Sequence, residues 1–475
     1  MPRAPIRSVM GRCLSWVPVR QLQRLSEVRV VAAAGLIGGL GLVLALFRLT
    51  AKPFTADELF DVQVTHQSWP TYLHTAAAQE ASQSVYLMIA KPWLTIVPQD
   101  EWFARLPSSV FAALACAMTV LVGVRLFDRF VGVSAGLLLA SNALTVTWAQ
   151  ENRTFTLAAF AAATSTYLFV RALEDPTRAR WLVYAAAASV GMYCEFFVVF
   201  VLLAHAAALI RFRPKPPRRV LAPAAAVLGI GLLPAIGFVL FEDKGQVGWI
   251  LRPTLSEIAE TIFAVNGWNP VLLALSVLGA VTLLWTNRSR SSWQCVLVLT
   301  WAIGPFLLTA LLSLEKPLWI TRYFVMTTPA IALLAAVALS RLRALSQWLL
   351  PSVALPLAAF AAFSLIQRYE ANPENWRAAA TFAERSHARG YSIVGLPRDG
   401  MGPLFYYAKD SNLVNYVPRG SRAWIIIYDW GPQIHIRPPQ QLPLRPAWNY
   451  RKTISFGSHI LAELWTRPSR RATAK

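Results

Sequence analysis

Residues 29–58 read RVVAAAGLIGGLGLVLALFRLTAKPFTADE. Eighteen residues without a charge follow Arg29. Arg48 and Lys52 come next, then the adjacent acids Asp57 and Glu58. A bilayer-crossing helix needs about 20 mostly apolar residues, because hydrocarbon cannot satisfy a bare backbone. The run is too long for the apolar core of a cleaved signal and reads as a retained first helix. The fold is decided by its recurrence. Ten more such stretches lie near 106–126, 130–148, 154–172, 180–195, 196–212, 219–241, 268–286, 293–313, 322–340 and 348–368. The run 180–212 is too long for one crossing and holds Glu195 near its middle. It reads as two helices meeting at a membrane face around Tyr193–Phe197.

Composition agrees. Of 475 residues, 56% are hydrophobic and only 15% charged, against about 25% charged in soluble domains. A soluble enzyme and an acidic disordered chain are excluded. The net charge of +21 is unevenly placed. With residues 1–28 as a basic cytoplasmic N-terminus, inner segments, Arg29 included, carry 20 Lys and Arg against four acids. Outer segments before the tail carry nine bases against thirteen acids. Basic short loops belong inside, so an odd number of helices sends the C-terminus outward. The expectation is an all-α polytopic membrane protein of about 11 transmembrane helices in the plasma (inner) membrane. Its transmembrane part spans 29–368 and has a long outer loop at 51–104. The Pro/Arg-rich segment 211–219 reads as a cytoplasmic connector.

Residues 369–475 change character. Asn375–Arg389 has helical spacing and ends at Gly390, while Ser392–Leu396 and Ala423–Tyr428 read as short strands. A small α/β extracytoplasmic domain is expected, and the chain from Arg368 onward is basic by +9. Anionic lipid or a phosphorylated substrate suits that charge; nucleic acid is not expected as a partner there. The four cysteines (Cys13, Cys116, Cys194, Cys295) are scattered and form neither a disulfide framework nor a metal motif.

The chemistry is expected where loops reach the outer face. Adjacent carboxylates beside a membrane mark function, although Thr55 or Asp57 is equally placed to cap a helix. The turn Gln150-Glu151-Asn152-Arg153 places a carboxylate and a guanidinium at the level of Asp57. Glu195 lies in a third turn. Lys316 and Arg322, beside Tyr323, are outer cations suited to a phosphate or to interfacial anchoring. No chain of charges crosses the helices, which weakens an ion-coupled transporter.

In order along the chain, Asp57-Glu58, Arg105-Leu106-Pro107-Ser108, Gln150-Glu151-Asn152-Arg153, Arg322-Tyr323 with Pro329, and Asn375-Trp376-Arg377 resemble the motifs of GT-C membrane glycosyltransferases. The bacterial branch related to protein mannosyltransferases and aminoarabinose transferases is the one most resembled. Two segments depart from it: Gln83-Ser84-Val85-Tyr86-Leu87, where His-Pro is common, and Glu195, where a His is common.

The resemblance implies inverting transfer of a sugar from a polyprenyl-phosphate donor to a glycan, lipid or protein acceptor outside the membrane. Asp57 is the expected base, with Glu58 and Glu151 orienting substrate. Arg153, Lys316 and Arg322 are expected to meet the phosphate, with Tyr323 and Glu195 lining the site. A divalent Mg or Mn ion between Asp57 and Glu151 is left open. A lipid-linked sugar flippase or a catalytically silent envelope scaffold are the alternatives.

Overall fold

The computed structural model describes residues 19–241, 250–290, 292–346, 348–408, 413–415, 420–428 and 448–467. The basic stretch before residue 19, with Cys13, lies outside the described residues, as do parts of the tail. Helix α1 (Val19–Leu46) carries the opening apolar run. The long loop after it folds into three short helices, α2 (Ala56–Val64), α3 (Trp69–Gln79) and α4 (Ser84–Ile96). Thr55 caps α2 in a reciprocal box with Glu58, which satisfies two orphan donors of the first turn.

The remaining bundle runs α5 (Glu101–Leu126), α6 (Arg129–Ala140), α7 (Ala143–Ala149), α8 (Phe155–Glu174), α9 (Arg178–Met192), α10 (Val199–Arg211) and α11 (Arg218–Phe241). It continues through α12 (Leu255–Val265), α13 (Pro270–Arg290) and α14 (Trp293–Leu312). A 3₁₀ segment Thr321–Thr327 then leads into α15 (Thr328–Leu345), and α16 (Leu349–Glu370) closes the bundle. Each of the eleven expected stretches holds a helix. Among the described residues, however, seven helices are long and apolar enough to cross a membrane alone, or nine if two bent pairs count as one span each. The pairs are α6 with α7, bent by 57°, and α12 with α13, bent by 90°. The shortfall from eleven lies at 180–212. There α9 has 15 residues and the apolar helix Phe196–Arg211 is also short. At 1.5 Å per residue, 15 residues reach only about 22 Å of a roughly 30 Å core.

Packing separates the centre of the bundle from its rim. Residues 328–339 of α15 are buried without exception, while Leu36 on α1, Ile230 on α11 and Leu355 on α16 are largely exposed. Exposed apolar side chains on long helices are what lipid contact requires. Small residues bring the helices together. A Cβ on Gly123 would lie 2.6 Å from the Cα of Gly132, and one on Gly279 only 1.9 Å from the Leu334 carbonyl oxygen.

Beyond α16 the chain forms α17 (Trp376–Ala388), β1 (Ser392–Leu396), α18 (Gly402–Tyr407), β2 (Val414–Asn415), β3 (Arg422–Tyr428), β4 (Asn449–Ser455) and β5 (Ile460–Thr466). The sheet order is β2-β1-β3-β5-β4. β1 runs parallel to β2 and β3, with Val394 opposite Ile425. β5 is antiparallel to β3 and β4, with Ile426 opposite Ala462. Asn375 caps α17 and Gly390 follows it with φ +79°. Trp376, Ala380 and Ala383 of α17 pack on Trp424 and Ile426. Ala56, at the start of α2, packs against the same core, so this unit sits directly on the first loop.

Candidate active site

Helix α2 presents its acids in two directions. Residues 57 and 61 are one turn apart and share a face; residue 58 points away from them. Glu58 and Arg105 are buried as a two-pronged ion pair, with both nitrogen–oxygen distances 2.8 Å. Glu58 also accepts from the backbone N–H of Thr55 and of Asn152. Its oxygens are thereby engaged, and it ties α2 to α5 and to the turn 150–153. Of the two adjacent acids, Glu58 builds the site and Asp57 faces it.

Asp57 is 37% exposed, and its Oδ2 accepts from Arg322 Nη1 at 3.1 Å and lies 3.9 Å from Arg153 Nη2. Burial acts to raise its carboxyl, but Arg153 and Arg322 outweigh this and hold it below the usual carboxylate range. Arg153 donates from Nη1 to Asp61 Oδ2 at 2.9 Å. Burial pushes the Asp61 carboxyl up against that partner. Glu195, buried at the break after α9, is pushed up to about 8 by burial, with Arg322 and Arg153 opposing. The fields of Glu80, at the end of α3, reach Asp61, Arg153 and Glu195. Two guanidiniums thus serve the carboxyls of Asp57, Asp61 and Glu195, and burial raises the last two against them. Tyr323 stacks on Phe197 with ring centroids 4.7 Å apart. Arg322 lies over the rings of Phe155 and Tyr323.

Three buried polar atoms here have no hydrogen-bond partner among the described residues: Asp61 Oδ1, Arg153 Nε and Asn152 Nδ2. Leaving such a group unpaired costs about 1–3 kcal/mol, so the arrangement is one that a polar ligand completes. Glu151 lies in the same turn, near Glu58, Arg105, Lys52 and Glu374. Burial and the neighbouring Glu58 push its carboxyl up to about 8 against Arg105 and Lys52.

The structure therefore brings Asp57, Arg153, Glu195, Arg322 and Tyr323 together, with Glu58 and Glu151 on the adjoining side of α2. Lys316 has no such contact. Half-buried in the turn after α14, it makes no ion pair with a carboxylate among the described residues. Membrane depth alone had placed it there. Asp57 is already met by two guanidiniums, and no three His, Cys, Asp or Glu side chains converge among the described residues. A separate cavity of about 650 Å³ lies at the far end of α2, lined by His66, Gln67, Lys91 and Gln99 among others. The Lys91 ammonium is spent on the Thr65 and Gln67 carbonyls, both at 2.7 Å.

Residues 84–241 match the family of dolichyl-phosphate-mannose-protein mannosyltransferases, a stretch shorter than half the chain. No curated protein matches the sequence significantly. ArnT from Cupriavidus metallidurans, solved with undecaprenyl phosphate, is similar at TM-score 0.54 and 14% identity, over 90% of this chain and 97% of that one. The fold is that of the GT-C glycosyltransferases. The Archaeoglobus fulgidus oligosaccharyltransferase in its apo form is similar at TM-score 0.55 and 12% identity, over 82% of this chain and 64% of that one. This chain thus spans under two thirds of that enzyme's length. The same archaeal enzyme, AglB, in complex with an inhibitory peptide and a dolichol-phosphate, gives TM-score 0.53 at 12% identity, over 83% and 65% of the two chains.

Within this GT-C fold, three contributors escaped the sequence reading. Asp61 was signalled by its place four residues after Asp57. Glu80 and Glu374 carried no local signal, since their approach depends on how α3 and the tail unit pack. Glu374 accepts from Tyr428 Oη at 2.9 Å and Trp376 Nε1 at 3.0 Å, so the tail unit holds a carboxylate toward Glu151.

Proposed function

We propose that this chain is a membrane glycosyltransferase that moves a sugar from a polyprenyl-phosphate donor to an acceptor hydroxyl on the extracytoplasmic face. The observation that carries the reading is Asp57. It is an accessible, ionised carboxylate facing two guanidiniums, beside buried atoms (Asp61 Oδ1, Arg153 Nε and Asn152 Nδ2) that have no hydrogen-bond partner among the described residues. The structures of ArnT with undecaprenyl phosphate and of AglB with a dolichol-phosphate support a lipid phosphate as the donor's anchor. The acidic first loop, ordered around Asp57, favours transfer over flipping.

The acceptor oxygen attacks the anomeric carbon from the side opposite the phosphate, so the configuration inverts. As the new carbon–oxygen bond forms, the bond to the phosphate oxygen breaks and the electron pair leaves with the phosphate. Arg322 and Arg153 meet the charge that develops there, in a site where water is largely excluded. The hydroxyl proton passes to Asp57; such base assistance contributes about 10²–10⁴-fold. In the free protein Arg322 pairs with Asp57. A donor phosphate competes for that guanidinium and thereby frees Asp57 as a stronger base. Burial, which raises the carboxyls of Glu195 and Asp61, lowers the repulsion an incoming phosphate meets.

The test is mass spectrometry of envelope glycans and glycolipids from cells making wild-type protein or Asp57→Asn. A sugar lost in both the null strain and the variant supports the reading. An unchanged glycan profile in the null strain overturns it.

A further inference from the structure

Residues 49–54, which join α1 to the Asp57 helix, have no regular structure, and such backbone groups beside a membrane must be paired. Two guanidiniums divide the work. Arg105 of α5 takes the carbonyls of Leu49, Lys52 and Pro53, at 2.8 to 2.9 Å. Arg377 of α17, from the tail unit, takes those of Thr50 at 3.0 Å and Ala51 at 3.4 Å. Tyr407 of α18 completes the set. Its hydroxyl accepts from the Phe54 N–H at 2.7 Å and donates to Glu101 Oε1, which also receives Arg377 Nη2. The Tyr406 ring meets Phe54 edge-on at 5.6 Å, and Lys52 Nζ donates to the Arg368 carbonyl at 2.6 Å.

Two residues beyond Phe54 the chain reaches Ala56, seated on the tail core, and then Asp57. We infer that Arg377 and Tyr407 are positioning residues for sugar transfer, holding the strap 49–54 so that Asp57 is presented to the donor site. The tail unit is thus part of the catalytic machinery rather than an accessory binding domain. This rests on the proposed transferase activity. Its energetic core is the Tyr407 contact, since the Arg377 side chain is 40% exposed and exposed pairs contribute little.

The experiment uses full-length protein in lipid nanodiscs and in cells, with Tyr407→Phe and Arg377→Gln. Arg180→Ala, which removes a remote surface pair with Asp175, is the control. Three quantities are read: amide hydrogen exchange over residues 49–60, affinity for undecaprenyl phosphate as probe, and the sugar product by mass spectrometry. A displacement of about 1 Å at a reacting group costs on the order of 10²-fold. Tyr407→Phe should therefore lower product by about 10–100-fold and speed exchange in the strap by about tenfold or more. Phosphate-lipid affinity should stay within about twofold, because Arg153 and Arg322 are held by other elements; the control should match wild type.

Unchanged exchange in both variants, or wild-type product despite faster exchange, overturns the inference. Loss of product together with probe affinity and melting temperature also overturns it, since that marks a general structural role. Absence of product from the wild-type chain strikes the transferase reading instead, and the exchange data still decide the strap.

Discussion

Adjacent acids with opposite duties make the sharpest test, through Asp57→Asn and Glu58→Gln. Glu58 is fully buried and accepts from both prongs of Arg105, from the Thr55 N–H and from the Asn152 N–H. The amide of Glu58→Gln turns one acceptor into a donor facing a guanidinium and leaves the Arg105 charge without its counter-ion. Breaking a buried pair in this way costs about 3–5 kcal/mol, a large part of the roughly 5–15 kcal/mol that holds a domain folded. Asp57 is different. It is 37% exposed, its pair with Arg322 is partly solvated, and the isosteric amide keeps the space filled. Its structural cost is about 1 kcal/mol or less, while the base is gone and transfer falls by at least about 10²–10⁴-fold.

Thermal unfolding of both variants in one detergent, alongside product formation, separates the two duties. Glu58→Gln should melt well below wild type. Asp57→Asn should melt within a few degrees of it and be inactive. A stable, active Glu58→Gln protein would refute the division of labour, and so would near wild-type transfer by Asp57→Asn.

Arg322→Ala should weaken undecaprenyl phosphate binding by roughly tenfold or more, since a hydrogen bond to a charged group contributes about 1.5–3 kcal/mol; unchanged affinity in a titration would make Arg322 an interfacial anchor. Glu195 sits at about 8 when folded, above its ordinary 4.5. The folded chain thus holds an extra proton between those values, so this contribution is fully present below about pH 4.5 and lost as pH rises through about 8. Glu195→Gln should consequently raise the melting temperature at pH 9 relative to wild type, and do so less at pH 6; equal shifts at both would dismiss the burial argument. Gly279→Ala should destabilise α13 against α15 by about 1–3 kcal/mol through overpacking, because the added carbon meets the Leu334 carbonyl; an unchanged melting curve would mean the helices part without cost.

The helical bundle was legible because long uncharged runs have few other physical solutions. The break at Tyr193–Glu195 showed itself as one charge in an overlong run, and α17 announced both its ends through Asn375 and Gly390. Strand β4 was hidden because NYRKTIS is exposed along nearly all its length and has no apolar alternation. The site was legible at Asp57, Arg153 and Arg322, where polar residues are rare beside a membrane. Position around the bundle axis was not, and Lys316, grouped with these residues by depth, makes no ion pair with a carboxylate among the described residues. Nor was the packing of residues distant in sequence, which conceals Glu374 near Glu151 and gives Arg105 its place under the strap.

The contact between Phe54 and Tyr407 joins residues 353 positions apart. At about 5–20 residues per second of synthesis, roughly 20–70 s separate the emergence of the two. Throughout that interval the nascent protein already displays its carboxylate loop to the lipid pool without the piece that fastens it. On the inference above, transfer waits for the tail unit, and a product cut short after α16, which lacks Arg377 and Tyr407, is expected to be inert.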